Sequence, residues 1–376
     1  MIWSPSDFSV SELVGEDGPN VSPFLLHCDD DSDVAWNHPL LGRMSRDPDK
    51  YCNSDCNRHL ACCRPQHPDK MDVRFLLQTA KGLYYAGPFD DDLFDLLMKD
   101  NDNPIAFFVH GFTNNYLQTP QFNETMKLYV ASGFNFIIVD WHIANSVYAQ
   151  AVYNTRTVGA MIGYFLQKYD LQPDTICIGF SLGAHICGEA GKWLQARDYD
   201  TIASCHMLDP AGPFFDGCDE EVRQNDRDCD IVTVLHATQN VSTSITRTLM
   251  AQGFGSRHSS GNCDYWINDG LPWKQPGCHC LLPGSSVTKY FVQSKSMNMA
   301  VHCIWCAHFR VLDFYLTEVR KTCRRIGLES SGCGNVRECS PNEEGVRMFL
   351  PPYDACSQDM RMDFRVLTAH KDYPFC

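Results

Sequence analysis

The chain has 376 residues, 44% of them hydrophobic and 12% aromatic, so it can bury a large core and is not a disordered chain. A formal net charge of −15 gives it an acidic surface that repels phosphate backbones. That excludes nucleic acid as the expected partner and disfavours strongly anionic membranes, without speaking against neutral lipid, and no apolar run reaches the ~18 residues that a transmembrane segment needs.

Twenty cysteines, an even number, suit an oxidising compartment and a disulfide framework. Sequons at Asn20, Asn123 and Asn240 fit glycosylation on a secretory route, so a secreted, extracellular protein is expected. Met1-Ile2-Trp3-Ser4 has neither a basic n-region nor an apolar h-region, so either the leader for that route is missing from the sequence or the start is displaced.

Residues 1–70 read as a cysteine-rich N-terminal extension, with Asp, Ser and Pro but no long periodic segment. Cys52, Cys56, Cys62 and Cys63, near His59 and His67, have no standard zinc spacing, which favours disulfides over a zinc knuckle. Residues 71–376 form the expected main domain. Val73–Thr79, Ile105–Val109, Phe134–Asp140, Thr175–Gly179, Ala203–Leu208 and Ile231–His236 are apolar runs of strand length, the last five continuous enough to be buried on both faces. Between them Phe122, Met126, Tyr129 and Val130 recur at helical spacing and stop at Gly133. Val158, Met161, Ile162, Phe165 and Tyr169 form a second stripe, with Asn154 or Thr155 as N-cap. Ala184–Ala196 and Arg310–Thr322 read as further helices. Strands alternating with helices predict an α/β fold around a mostly parallel sheet with flanking helices.

Gly179-Phe180-Ser181-Leu182-Gly183 follows one of those strands and precedes a helix. A G-x-S-x-G in that setting is a nucleophile elbow, in which glycines flank a strained serine so that strand and helix can approach. A nucleophilic serine needs a base and an orienting acid. Asp209 lies 28 residues beyond Ser181, where a strand runs into Asp209-Pro210-Ala211-Gly212-Pro213. The base comes later, and spacing does not choose among His236, His258, His279, His302, His308 and His370. His308, ahead of the expected Arg310–Thr322 helix, sits where a loop-borne base would be found.

Val109-His110-Gly111-Phe112, Val139-Asp140-Trp141, the Gly179–His185 stretch and Leu208-Asp209-Pro210-Ala211 occur in the order and spacing of the pancreatic lipase family. So do Gly253-Phe254-Gly255, Asp264, Gln275-Pro276-Gly277-Cys278 and Cys306-Ala307-His308-Phe309-Arg310. From about residue 70 to the C-terminus the chain resembles that family of α/β-hydrolases. The resemblance implies Ser181 as nucleophile, Asp209 as acid, His308 as base, and the backbone N–H groups of Phe112 and Leu182 as oxyanion hole. Leu182 also follows from the elbow itself, since it opens a helix whose first amides point at the site. His110 and His185 read as core histidines.

The resemblance further implies a lid stapled by Cys278 and Cys306, with Cys280 and Cys303 nested inside, and 27 residues lie between the outer pair. Leu281, Leu282, Tyr290, Phe291, Val292, Met297, Met299, Ile304 and Trp305 make that segment apolar enough to cover a site in water and open onto lipid. Catalysis needs no cofactor, but a structural calcium is implied, held by the carbonyls of Glu220 and Arg223 and the side chains of Asn225 and Asp228. The family usually has Asp where this chain has Asn225. Cys218 and Cys229 flank that segment as a clamp, and Cys177 and Cys187 read as buried free thiols. The expected function is a secreted lipase acting at the lipid–water interface. The long lid favours triacylglycerol, while the 68 residues after His308, too few for the family's C-terminal β-sandwich as well, pull toward phospholipase A1. A non-catalytic yolk-type or lipid-binding relative is the third reading.

Overall fold

Three short apolar runs explain the centre of the molecule: Ile105–Val109, Asn135–Asp140 and Thr175–Phe180 are strands buried along their whole length. In this computed structural model the described residues are 35–45, 65–90, 103–112, 119–142, 148–216, 218–239, 253–278, 297–320, 325–329, 345–348, 356, 361–366 and 368. The chain divides into two compact units, one of residues 24–210 and 217–232, the other of residues 1–23, 211–216 and 233–376.

The first unit begins with a hairpin of β1 (Ala35–His38) and β2 (Gly42–Ser45), followed by β3 (Arg74–Thr79), β4 (Gly82–Ala86), β5 (Ile105–Val109), α1 (Pro120–Ala131), β6 (Asn135–Asp140), α2 (Tyr148–Tyr169), β7 (Thr175–Phe180), α3 (Leu182–Gln195) and β8 (Ile202–Leu208). Its strands lie in the order β8-β7-β5-β6-β3-β4. The pairs β5–β6, β5–β7 and β7–β8 are parallel, and β3 joins β6 and β4 antiparallel. A parallel sheet must be covered on both faces, which is why its strands alternate with helices that bury an apolar stripe. Phe75, Phe107 and Phe165 meet edge-on there, with ring centroids 5.8, 5.5 and 5.8 Å apart. α1 starts with Pro120 at N1 and ends ahead of Gly133, which has φ +91°.

Parts of the N-terminal segment dock on this unit. The Leu41 carbonyl accepts from Trp193 Nε1 (3.2 Å) and Arg197 Nη2 (2.7 Å). Gln66 N donates to Asn154 Oδ1 (3.0 Å), and Asn154 Nδ2 donates to Gln66 Oε1 (2.7 Å). Asn154 is therefore no N-cap: α2 begins six residues earlier at Tyr148. Residues 148–153 contain no breaker, and Asn154 turns its amide to Gln66 and to Gln150 Nε2 (3.0 Å) instead of to its own backbone. Cys52, Cys56, Cys62, Cys63 and His59 lie outside the described residues.

β9 (Cys229–His236) passes into the second unit at Thr233. There follow β10 (Cys263–Ile267), α4 (Met297–Val319), β11 (Arg325–Glu329), β12 (Gly345–Met348) and β13 (Met362–Val366). β10 is parallel to both β9 and β13, and β11 joins β13 and β12 antiparallel. α4 starts at Met297 and not at Arg310, so His308 is a mid-helix residue and not a loop residue. Residues 297–319 contain neither Gly nor Pro, so no residue stops the helix before the Cys306–His308 stretch. Among the described residues no helix is long and apolar enough to cross a membrane.

Two cysteine expectations are corrected. Cys177 and Cys187 are bridged, with Cα atoms 5.9 Å apart, because α3 folds straight back over the strand it follows and brings residues ten apart together. Cys229 pairs with Cys205 across 5.9 Å and not with Cys218, since β8 and the start of β9 belong to one unit. Cys278–Cys306 is formed (Cα–Cα 5.6 Å), as is Cys263–Cys356 (6.0 Å). Cys218 and Cys303 are also in disulfides, and among the described residues no cysteine is free.

Candidate active site

Ser181 is the one residue between β7 and α3, and its backbone is strained there: φ is +57° and ψ −116°, a conformation disfavoured for any residue with a Cβ. Its N–H donates to the carbonyl of Leu208 at 3.0 Å, which ties the elbow to the end of the neighbouring strand. The flanking glycines are required by contact. A Cβ on Gly179 would lie 2.3 Å from the carbonyl oxygen of Gly183, and one on Gly183 would lie 2.0 Å from that of Val109. Leu182 is the first residue of α3, so its amide has no carbonyl within the helix to pair with.

The turn after β5 runs beside the serine. A Cβ on Gly111 would sit 2.7 Å from Ser181 Cβ and 3.2 Å from its Oγ. His110 braces this turn: its ring lies stacked 5.6 Å from Trp141, its carbonyl accepts from Trp141 Nε1 (2.9 Å), and its Nε2 accepts from Trp141 N (3.3 Å). With Nε2 accepting, Nδ1 carries the proton and donates to Gly111 O at 3.0 Å. Phe112 follows, half-buried, with its ring edge-on to Tyr148 at 5.0 Å.

Asp209 directly follows β8, fully buried, and has φ +45° although a proline follows. Ser181 and Asp209 are both buried and both take a positive φ directly after a strand, as Asn268 does after β10; such strained positions cluster at functional sites. Beyond Pro210 the chain enters the second unit, where Ala211 bridges Gly255 and Gly212 N donates to Phe254 O at 2.8 Å. Gly255 N is held in turn by Thr238 O (2.7 Å) and Oγ1 (3.0 Å).

His308, in the second unit, is packed by those same residues. Its Nδ1 is 3.4 Å from Thr238 Oγ1 and its ring stands edge-on to Phe254 at 5.7 Å, with only 2% of the residue exposed. Among the other candidate bases, His236 has a carboxylate partner, Asp264 Oδ1 at 2.7 Å. It is sealed, however: fully buried and stacked at 3.7 Å on Trp266, the residue directly across from it in the β9–β10 register. Asp264 is the anchor of that pair and also accepts from Ser260 N and Gly261 N. His258 is part-exposed and 4.0 Å from Asp216. His279 and His370 lie outside the described residues, and His302 lies on α4.

Glu220, Arg223, Asn225 and Asp228 do come together in the first unit. Asn225 Nδ2 donates to Glu220 O (3.0 Å) and to Asp228 Oδ1 (3.0 Å), and Lys192 Nζ donates to Arg223 O (2.8 Å). Burial pushes the Asp228 carboxyl up to about 7 against the opposing pull of Lys192 and of the Asn225 N–H. Lys192 carries no signal in the sequence, since nothing local marks a helix lysine as reaching a turn thirty-one residues on. His185 Nδ1 accepts from Gln224 N (3.1 Å) and pins the same turn to α3. Of the expected lid, Leu281, Leu282, Tyr290, Phe291, Val292 and Cys280 lie outside the described residues, whereas Met297, Met299, Ile304 and Trp305 belong to α4 and not to a loop. Asn123 lies half-buried on α1, and Asn20 and Asn240 lie outside the described residues.

A family model described as Lipase matches residues 36–343. Pancreatic lipase-related protein 2 of Rattus norvegicus is 30% identical over 264 residues, 68% of this chain and 53% of that protein. Pancreatic triacylglycerol lipase of Equus caballus is 31% identical over 266 residues, 68% of this chain and 54% of that protein. The chain thus spans about half the length of the curated relatives it matches. Among solved structures, a thermophilic esterase from Thermogutta terrifontis aligns over 48% of this chain and 75% of that one, at 11% identity and a TM-score of 0.31. With that family model matched across most of its length and a strained serine elbow between β7 and α3, the chain belongs to the lipase family.

Proposed function

We propose that this protein is a secreted serine hydrolase that cleaves carboxylic esters of glycerolipids at a lipid–water interface, with triacylglycerol as the preferred class. The single observation that carries the reading is Ser181, held at φ +57° between glycines that nothing larger can replace, in a chain of the lipase family. Ser181 Oγ attacks the acyl carbonyl and His308 takes its proton. Asp209 fixes the imidazole and stabilises its protonated form. The charge that develops on the carbonyl oxygen is met by the N–H groups of Leu182 and Phe112. Leu182 opens a helix, and the chain leading to Phe112 passes so close to Ser181 Oγ that only glycine fits before it. His308 then protonates the departing alcohol, and water cleaves the acyl-enzyme by the same route in reverse.

The pairing of Asp209 with His308 rests on the family resemblance and on the order Ser, Asp, His along the chain. Secretion is supported by the disulfides Cys177–Cys187, Cys205–Cys229, Cys263–Cys356 and Cys278–Cys306. The preference for triacylglycerol rests on the names of the relatives and on the apolar segment between Cys278 and Cys306. Fatty-acid release by wild type and Ser181→Ala, on a triacylglycerol emulsion and on phosphatidylcholine vesicles, tests it. The expected result is faster release from the emulsion by wild type and none by the variant. Faster release from phosphatidylcholine makes the protein a phospholipase, and no release from either makes it a binding protein.

A further inference from the structure

The turn from Glu220 to Asp228 lies directly on the helix that carries the serine elbow. A Cβ on Gly191 would stand 1.7 Å from Asp228 O, and one on Gly188 would stand 2.5 Å from Asp228 Oδ2, so the turn touches the bare backbone of α3. Something has to neutralise the oxygens that this approach gathers. They are the carbonyls of Glu220 and Arg223 and the side chains of Asn225 and Asp228, the set that the family resemblance assigns to calcium.

Calcium takes six to eight oxygens at about 2.3–2.6 Å and gains most from carboxylates. Here the set holds one carboxylate, Asp228, and its oxygens face N–H donors from the chain itself. Lys192 Nζ donates to Arg223 O (2.8 Å) and lies 3.4 Å from Asp228 Oδ2 and 3.7 Å from Glu189 Oε1. Asn225 N donates to Asp228 Oδ2 (2.8 Å), while Asn225 Nδ2 donates to both Glu220 O and Asp228 Oδ1. The orientation of that amide is fixed from outside the cluster, because Asn225 Oδ1 accepts from Arg227 N at 2.9 Å. Turning it over would set Nδ2 against the Arg227 N–H and Oδ1 against two other oxygens. An aspartate at this position would put an oxygen where Nδ2 now donates, and only a cation could then hold the turn together.

We infer that Lys192 and Asn225 take the place of a calcium ion, so that this chain folds its 220–228 turn without metal. The ammonium supplies the positive charge from a covalent tether and the amide supplies the donors. The device is independent of the hydrolytic mechanism, because it acts on the stability of the turn and of α3 beneath it.

The test is thermal unfolding of the wild-type protein in excess EDTA and in excess calcium, with calcium titration calorimetry on the EDTA-treated, dialysed protein. The wild type should melt at the same temperature in both and release no heat of specific binding. The double variant Lys192→Met, Asn225→Asp restores a second carboxylate and removes the ammonium. It should melt several degrees lower in EDTA, recover in calcium and bind one ion per chain. A wild-type midpoint that falls in EDTA and returns with calcium overturns the inference, and this arm decides alone if the double variant does not fold. A double variant that folds but ignores calcium equally contradicts the claim that these two side chains exclude the ion.

Discussion

Ser181→Ala should lower kcat/KM on ester substrates by a factor of about 10⁴ or more while leaving the thermal midpoint unchanged. On the proposed mechanism the loss is large because the serine carries a covalent step that a neighbouring water does not replace. The fold survives because the Oγ is not what holds the elbow. The strained backbone is held by the Ser181 N–H to Leu208 O bond and by the closeness of Gly111, Gly179 and Gly183, none of which involves the hydroxyl as a structural partner. Initial rates on a soluble short-chain ester, together with a melting curve, check both halves. A variant that retains activity within tenfold of wild type would remove Ser181 from the mechanism.

Gly183→Ala should destabilise the fold strongly. Its Cβ would meet the Val109 carbonyl oxygen at 2.0 Å, the Val109 carbonyl carbon at 2.7 Å and the His110 oxygen at 3.0 Å, all of them backbone atoms at the end of β5. Backbone cannot swing aside as a side chain does, so α3 must lift from the sheet. A cost of about 3 kcal/mol or more is expected, with failure to accumulate as soluble protein as the extreme case. Gly133→Ala is the matched control. Gly133 has φ +91°, but an added methyl there would have nothing within 4 Å, so the substitution introduces conformational strain alone, about 1 kcal/mol. Urea unfolding of the two variants beside wild type separates contact from strain. Equal losses would contradict the packing described for the elbow.

Much of the first unit is legible in the sequence because buried parallel strands leave a plain trace: Ile105–Val109 and Thr175–Phe180 are continuous apolar runs with helical stripes after them. The elbow is legible because its sterics demand glycine at fixed offsets from Ser181. What fails is what depends on distance in the chain. His308 looks loop-borne because it follows cysteines, yet the residues before it carry no breaker and α4 runs through them. Asn154 looks like a cap because Asn caps helices, but its partner Gln66 lies 88 residues away. Cys177 and Cys187 look like core thiols because each alone fits a strand or a helix, and only the fold of α3 back over β7 brings them within 5.9 Å. Asn225 is visible as a departure from the family's aspartate. The compensating Lys192 is not, because the two meet only when α3 and the 220–228 turn are in contact.

Covalent trapping tests whether Ser181 is the nucleophile of an acyl-enzyme mechanism. The protein is incubated with an alkyl p-nitrophenyl phosphonate, which a serine nucleophile attacks with loss of nitrophenolate, and is then analysed by intact and peptide mass spectrometry. One phosphonyl group per chain is expected on the peptide containing Ser181, with loss of ester hydrolysis in proportion to labelling and no label on Ser181→Ala. A label on another residue, or full hydrolytic activity in a protein labelled at Ser181, would contradict that mechanism.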